Sequence, residues 1–257
     1  MLKVEVEREG PVGVVWLNRP EVHNAIDAET ASLLHAAFTD LRDDDDARAV
    51  VVGGRGGKAF SSGADLRDGA ALFADRADPD CGPLQFSGLE LGKPTLAAVE
   101  GFCLAGGLEL ACWCDFRIAG DGAEFGVVNR RWGIPLVDGG TQRLPRIVGL
   151  GAALWLVETG IQIDARRARE IGLVQEVVPA GRAADRALEL AERVAAYPRA
   201  SLVADRSSVL AAQGLPMEQG LALEAERGFP TLADPELARG LERYASGDRP
   251  PPPRAAG

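Results

Sequence analysis

The chain has 257 residues, 46% of them hydrophobic, with 38 acidic against 28 basic residues and a formal net charge of −10. This size allows one large domain, or one domain with a small appendage, and a sizeable core. The acidic balance argues against binding to nucleic acid or to an anionic membrane, and no apolar run approaches the ~20 residues of a membrane span.

The N-terminal part of the chain begins with two predicted strands. Residues 4–9 and 12–18 have strand patterns and are separated by the turn signal Gly10-Pro11. Asp27 is predicted to cap the helix that follows. The first residues alternate like a strand and lack the apolar segment of a signal peptide, so we expect a cytoplasmic protein.

Short strands and helices continue to alternate along the chain. Four further strands are predicted, over residues 48–53, 95–100, 116–119 and 173–178. Residues 67–92 have weak periodicity and are predicted to line or cover a pocket. After Gly181 the pattern is mostly helical, with helices predicted over 183–197, 202–213 and 217–228. Recurrence of strand, glycine turn and helix favours an α/β fold.

The cysteines and histidines argue against several kinds of metal and catalytic site. The four cysteines form no CxxC pair, and two histidines cannot build a three-histidine metal site. No GxSxG elbow is present to support a Ser-His-Asp triad. We therefore expect no metal centre, and cysteines that are reduced and buried.

Residues 101–111, GFCLAGGLELA, form the most informative segment of the chain. They place Gly106 and Gly107 at the N-terminus of a predicted helix and Glu109 in its first turn. Backbone N–H groups at a helix N-terminus lack intrahelical acceptors, so they can donate to a developing oxyanion, and glycine lets an acyl group approach closely. Glu109 would then transfer a proton beside the stabilised atom. Alternatively, the glycines serve close packing and Glu109 only complements the helix dipole.

Three segments, in order, resemble the crotonase, or enoyl-CoA hydratase/isomerase, superfamily. They are residues 58–66 (KAFSSGADL), residues 101–111, and residues 139–149 (GGTQRLPRIVG). Residues 17–20 and 24–25 fit the N-terminal pattern of the family as well. The resemblance runs from about residue 3 to about residue 245, which covers nearly the whole chain.

The resemblance implies a fold, an assembly and a ligand. The fold is α/β, a crotonase-like spiral of β-β-α turns with C-terminal helices that assemble trimers, which often pair into hexamers. The ligand is an acyl-CoA thioester, in which coenzyme A is part of the substrate and no separate cofactor is needed. We therefore divide the chain into a spiral core with the acyl-CoA site (1–195), a helical oligomerisation region (196–247) and a disordered tail (248–257).

The resemblance also assigns candidate site residues. Ala64 and Gly106 match the residues whose backbone N–H groups form the oxyanion hole, and Glu109 matches the first of two glutamates used by the hydratases. Other positions fall where the family places the pantetheine and adenine of CoA: Lys58, Ala59, Phe60, Asp65 and Leu66. Gly107 and Trp132 complete the candidate substrate-binding residues. Trp132 is open to two interpretations, a wall of the acyl pocket or a core residue.

The second glutamate of the hydratases is missing. Alignment without a gap places Asn129 there, and an amide cannot act as acid or base near neutral pH, although it can hold a water. Asp138 has two interpretations. It replaces the missing carboxylate, as an aspartate near this place does in some family members, or it caps the helix that begins near Thr141.

The expected activity is enoyl-CoA hydration through a thioester enolate, with Glu109 as the principal acid/base. The first alternative is a Δ3–Δ2 (or dienoyl) enoyl-CoA isomerase, because a single carboxylate can remove and return a proton. The second alternative is an acyl-CoA-binding relative with little catalysis, against which the intact Glu109 argues.

Overall fold

The structure, a computed structural model, describes residues 2–74 and 81–248. Within these residues there are ten strands: β1 (Val4–Glu9), β2 (Val12–Leu17), β3 (Ala49–Gly54), β4 (Ala59–Ser61), β5 (Thr95–Val99), β6 (Phe102–Leu104), β7 (Phe116–Gly120), β8 (Glu124–Gly126), β9 (Gln162–Asp164) and β10 (Glu176–Val178). They also contain ten α-helices: α1 (Ala28–Asp43), α2 (Gly69–Ala74), α3 (Gly106–Trp113), α4 (Gly140–Val148), α5 (Leu150–Thr159), α6 (Ala165–Glu170), α7 (Ala183–Ala195), α8 (Arg199–Ala211), α9 (Met217–Gly228) and α10 (Pro235–Ala245).

The strands form two sheets, and the chain alternates between them from β3 to β8. The first sheet has the order β1-β2-β3-β5-β7-β10, and the second has the order β4-β6-β8-β9. Strand neighbours are parallel except for the β1–β2 and β8–β9 pairs. From β3 to β8 each strand of the first sheet is followed by one of the second, and helices close the turns. This is the predicted α/β spiral of β-β-α turns.

Most predicted element bounds are confirmed within one or two residues. Asp27 caps α1 as predicted, because its Oδ1 accepts a hydrogen bond from the N–H of Thr30 at 2.8 Å. Two predictions of extent were wrong. The last strand begins at Glu176 rather than at 173, since Leu173 and Val174 are buried in the core before pairing starts. Helix α8 begins three residues before the predicted 202, directly after Pro198, whose fixed φ suits a helix start.

The first sheet separates two hydrophobic cores. Alternate residues of β2, β3 and β5 point to opposite faces, so Val15 belongs to the large core and Val14 to the smaller one. The smaller core lies under α7, which packs alanines at every fourth position, Ala183, Ala187, Ala191 and Ala195. The large core contains α1 and α3, and it therefore encloses the GFCLAGGLELA segment.

The C-terminal helices bury little within the chain. Helix α8 buries Ala204 and Ser208, whereas α9 and α10 bury no residue. The division at residues 195 and 247 stays a prediction. Of the predicted tail, residues 249–257 lie outside the described residues, as do residues 75–80 of the predicted pocket-lining segment. Among the helices that are described, none has both the length and the apolar character needed to cross a membrane.

Candidate active site

Helix α3 starts at a tight junction with strand β6. The linking residue, Ala105, has φ +51°, a conformation that favours glycine, and its N–H donates to Gly126 O at 2.9 Å. The chain enters the helix at Gly106, directly against Gly63. A Cβ on Gly63 would lie 2.6 Å from Gly106 N, so only glycine fits there. This packing brings the start of α3 beside the 63–65 segment.

Ala64 presents a second N–H group at the same place. The residues on either side of Ala64 pair with Ile26, which lies just before α1. Ile26 N donates to Gly63 O, and Asp65 N donates to Ile26 O, each at 2.8 Å. This parallel bridge leaves the N–H of Ala64 outside the ladder. Within residues 2–74 and 81–248, neither this N–H nor that of Gly106 donates to a protein acceptor. Two neighbouring free donors are what an oxyanion hole requires, and the assignment of Ala64 and Gly106 to one stays a prediction.

Glu109 is held in the first turn of α3 by backbone donors. Its Oε1 accepts from Asp138 N at 2.9 Å and from Gly140 N at 2.8 Å. The residue is only 4% exposed. Burial, and then the charge of Asp138, raise the pKa of Glu109 to about 7, although the two backbone hydrogen bonds oppose this shift. A carboxyl with this pKa can both accept and donate a proton near neutrality.

Asp138 does not cap a helix. Helix α4 begins at Gly140 after Gly139, which has φ +94°, and no side chain caps it. The Oδ1 of Asp138 instead accepts from the N–H of Leu84 at 2.8 Å. The capping interpretation is therefore wrong, because the glycine turn directs the carboxylate away from the helix start. Burial raises the pKa of Asp138 to about 6.

Asn129 lies in a short 3-10 segment, Val128–Trp132. Its Nδ2 donates to Ile134 O at 2.7 Å, which orients the amide. Its Oδ1 is buried and has no hydrogen-bond partner among the described residues. An unsatisfied buried acceptor is costly, so a donor from outside the protein is the expected compensation.

These groups line one pocket of about 520 Å³, a volume that includes its open mouth. The lining includes Ala64 and Gly106, which carry the free N–H groups, and the polar side chains of Ser62, Glu109, Asn129 and Asp138. The apolar lining includes Leu66, Phe73, Leu84, Trp132, Ile134 and Val137. Trp132 is 68% exposed at the edge of the pocket, so its interpretation as a core residue was wrong. Two N–H donors and two carboxyl groups thus face an apolar cleft, an arrangement suited to a thioester.

The sequence profile of the family described as Enoyl-CoA hydratase/isomerase matches residues 7–251. The chain belongs to this family. A probable enoyl-CoA hydratase of Mycobacterium bovis is 34% identical over 93% of each chain, and a short-chain-enoyl-CoA hydratase of Clostridium acetobutylicum is 35% identical over 87% of each. A solved structure of enoyl-CoA hydratase from Bacillus anthracis superposes with a TM-score of 0.88 at 29% identity, covering 96% of this chain and 97% of that one.

The remaining candidate residues, Lys58, Ala59, Phe60, Asp65 and Gly107, are not among the residues that line this pocket. In this member of the enoyl-CoA hydratase/isomerase family, Ala59 and Phe60 are buried in β4, while Lys58 is exposed in the preceding turn. Contact between CoA and the first two would therefore use backbone atoms. Asp65 is buried and paired with Arg19 and Arg67.

Gly107 has a packing reason for being glycine, because a Cβ there would lie 2.2 Å from Ser61 O. Leu84 is the main residue that sequence reasoning missed. The pattern indicated a pocket-lining segment over 67–92, but it could not select a side chain, because that choice depends on a contact with Asp138, 54 residues away.

Proposed function

We propose that this protein catalyses the reversible addition of water to an enoyl-CoA thioester. The single observation that carries the proposal is the convergence of two free N–H groups with the Glu109 and Asp138 carboxyls in one apolar pocket. Family membership and the names of the relatives support the substrate class. The alternative interpretation of the glycine pair, as packing alone, leaves the buried acidic pair unexplained.

The chemistry follows from these groups. The thioester oxygen accepts hydrogen bonds from the N–H groups of Ala64 and Gly106, which stabilise the enolate that forms. Water adds at Cβ and loses a proton to the ionised carboxyl, while Cα takes a proton from the protonated one. Glu109 is the principal acid/base, and Asp138 supplies the second carboxyl. Because N–H groups polarise the carbonyl, the proposed reaction needs no cofactor beyond the CoA of the substrate.

Asn129 has a separate role in this proposal. An amide cannot take up the proton, but its unpartnered Oδ1 can accept a hydrogen bond from the attacking water or from the hydroxyl of the product. The hydrogen bond from Nδ2 to Ile134 O keeps the amide from exchanging its two ends. Asn129 therefore orients water without competing with Glu109 for the proton.

The amide at 129 also favours a second candidate, Δ3–Δ2 (or dienoyl) enoyl-CoA isomerisation on one carboxylate. The two candidates separate in one assay that follows the ultraviolet absorbance of the conjugated enoyl thioester. Loss of absorbance with crotonyl-CoA indicates hydration, and gain of absorbance with a 3-enoyl-CoA indicates isomerisation. Tight binding of both esters with no change in either absorbance would contradict an enzymatic role and favour a binding protein.

We further propose that the protein is a homotrimer or a pair of trimers in the cytoplasm. Exposed apolar side chains on the C-terminal helices support assembly: Val209, Met217, Leu221, Phe229, Leu232, Leu241 and Tyr244. Cys103, Cys112 and Cys114 are free thiols that are buried in the core, which is compatible with a reducing compartment. Light scattering tests the assembly, and a mass that is a multiple of three chains is expected.

A further inference from the structure

Leu84 lines the pocket beside Gly106, one of the two proposed oxyanion-hole residues. A Cβ placed on Gly106 would lie 2.5 Å from Leu84 Cδ1, so the leucine side chain is in contact with this glycine. Leu84 is only 1% exposed, and it lines the same pocket as Glu109 and Ala64.

The loop that carries Leu84, residues 81–87, is anchored at several points. Asp138 Oδ1 accepts from Leu84 N at 2.8 Å, and His35 Nδ1 donates to Gln85 O at 2.9 Å. The guanidinium of Arg143 donates to Ser87 O, and Gln85 N donates to Gly82 O across a turn. A Cβ on Gly82 would lie 2.4 Å from Asp138 Oδ1, so the loop packs directly on that aspartate. The leucine is therefore a fixed wall.

We infer that Leu84 selects the acyl group by excluding branching at Cα, so that the preferred substrates are unbranched enoyl-CoA thioesters. This inference rests on the proposed function, because it places the thioester oxygen on Gly106 N–H. Once that oxygen is placed, Cα is adjacent to the leucine, and a methyl branch requires space that Leu84 occupies. Asp138 acts here as a positioning residue through the N–H of Leu84.

The test compares kcat/KM for crotonyl-CoA and for 2-methylcrotonyl-CoA. Leu84→Ala should raise the ratio of branched to unbranched kcat/KM by roughly tenfold or more, since one methyl group in an apolar pocket discriminates by about that factor. Leu91→Ala is the matched control, because Leu91 is also buried, at 3% exposure, but lines a groove outside the acyl pocket. Its ratio should equal that of the wild type.

A second pair of variants tests the anchoring. Asp138→Asn keeps an acceptor for Leu84 N–H, whereas Asp138→Ala removes it. Both variants should lose activity, but only Asp138→Ala should raise the branched to unbranched ratio. An equal rise in both would overturn the positioning role of Asp138.

The outcomes separate this inference from the proposed function. A folded Leu84→Ala with the wild-type ratio overturns the inference while leaving hydration intact. If Leu84→Ala does not fold, Leu84→Val should raise the ratio of branched to unbranched kcat/KM by a smaller factor, of several-fold. An unchanged ratio in Leu84→Val would overturn the inference. If the wild type acts on neither enoyl ester, the proposed function fails. The ratio of Kd values for butyryl-CoA and 2-methylbutyryl-CoA then tests Leu84 alone, and it should shift in the same direction.

Discussion

Helices α3 and α9 of the same chain differ completely in burial. All eight residues of α3 are buried, whereas none of the twelve residues of α9 is. Helix α3 is apolar on every side except for Glu109, as expected for a helix inside a core. Helix α9 has an apolar side as well, but Leu221 on that side is 55% exposed.

The difference shows which apolar surfaces are buried within one chain. The apolar surface of α3 is satisfied within the chain, which holds the helix rigidly and makes the one buried carboxyl a strongly perturbed acid. Among the described residues, Leu221 of α9 keeps most of its surface exposed, and this is the surface that the proposed assembly would cover. In that proposal, the spiral core carries the chemistry and the C-terminal helices carry the assembly.

The largest expected effect is at the single carboxyl of α3. Glu109→Gln keeps the size of the side chain and an acceptor for the N–H groups of Asp138 and Gly140, but it cannot transfer a proton. Activity should fall by roughly 10²–10⁴ while the Kd for the CoA ester and the circular dichroism spectrum stay unchanged. Turnover equal to the wild type on the true substrate would remove Glu109 from the mechanism.

The next effect concerns the second carboxyl. If Asp138 supplies it, Asp138→Asn should reduce the rate per folded site by about 10²-fold or more, and Asn129→Glu should gain little. If Asp138 has no catalytic role, Asn129→Glu should raise crotonyl-CoA hydration by about tenfold or more. Measuring both variants on one substrate decides between these results. No change in either would contradict the two-carboxyl scheme.

Substitutions on the surface of α9 and α10 should change the assembly rather than the catalysis. Leu221→Glu combined with Leu241→Glu places charges on the exposed apolar side chains, so the assembly should dissociate toward single chains by light scattering. Gln219→Glu adds the same charge at an exposed position of α9 without removing apolar surface, and it should leave the mass unchanged. A wild type that is monomeric at micromolar concentration would contradict the assembly.

The smallest effect is a shift in pH dependence. With pKa values raised to about 6 for Asp138 and about 7 for Glu109, kcat/KM should rise and then fall with pH across a narrow maximum. Asp138→Asn removes the negative charge beside Glu109, so the remaining pKa should move down. A flat pH profile between about pH 5 and pH 8, a range that spans both pKa values, would contradict the coupling between Asp138 and Glu109.

The raised pKa of Glu109 also makes the free energy of unfolding depend on pH. Because the ordinary value is 4.5, the folded protein binds more protons than the unfolded chain as pH rises from there to about 7. The free energy of unfolding should therefore fall across this window. Urea unfolding should show a smaller fall for Glu109→Gln, whose side chain does not titrate.

Local patterns in the sequence determined the alternation of short strands and helices, the cap at Asp27, and the place of Glu109 in the first turn of α3. Each of these depends on residues that are adjacent, or spaced by the period of one element. The family, the spiral and the two proposed oxyanion-hole donors, Ala64 and Gly106, came from the resemblance of whole segments.

Tertiary structure alone decided the rest of the site. Asp138 was compatible with two roles until its bonds to Leu84, 54 residues away, and to Glu109, 29 residues away, were seen. The same holds for Leu84 as a pocket wall and for the Oδ1 of Asn129, which has no hydrogen-bond partner in the part of the chain that the structure describes. The physical reason is that orientation and solvation of a buried polar group depend on neighbours from distant segments, and no local periodicity encodes them.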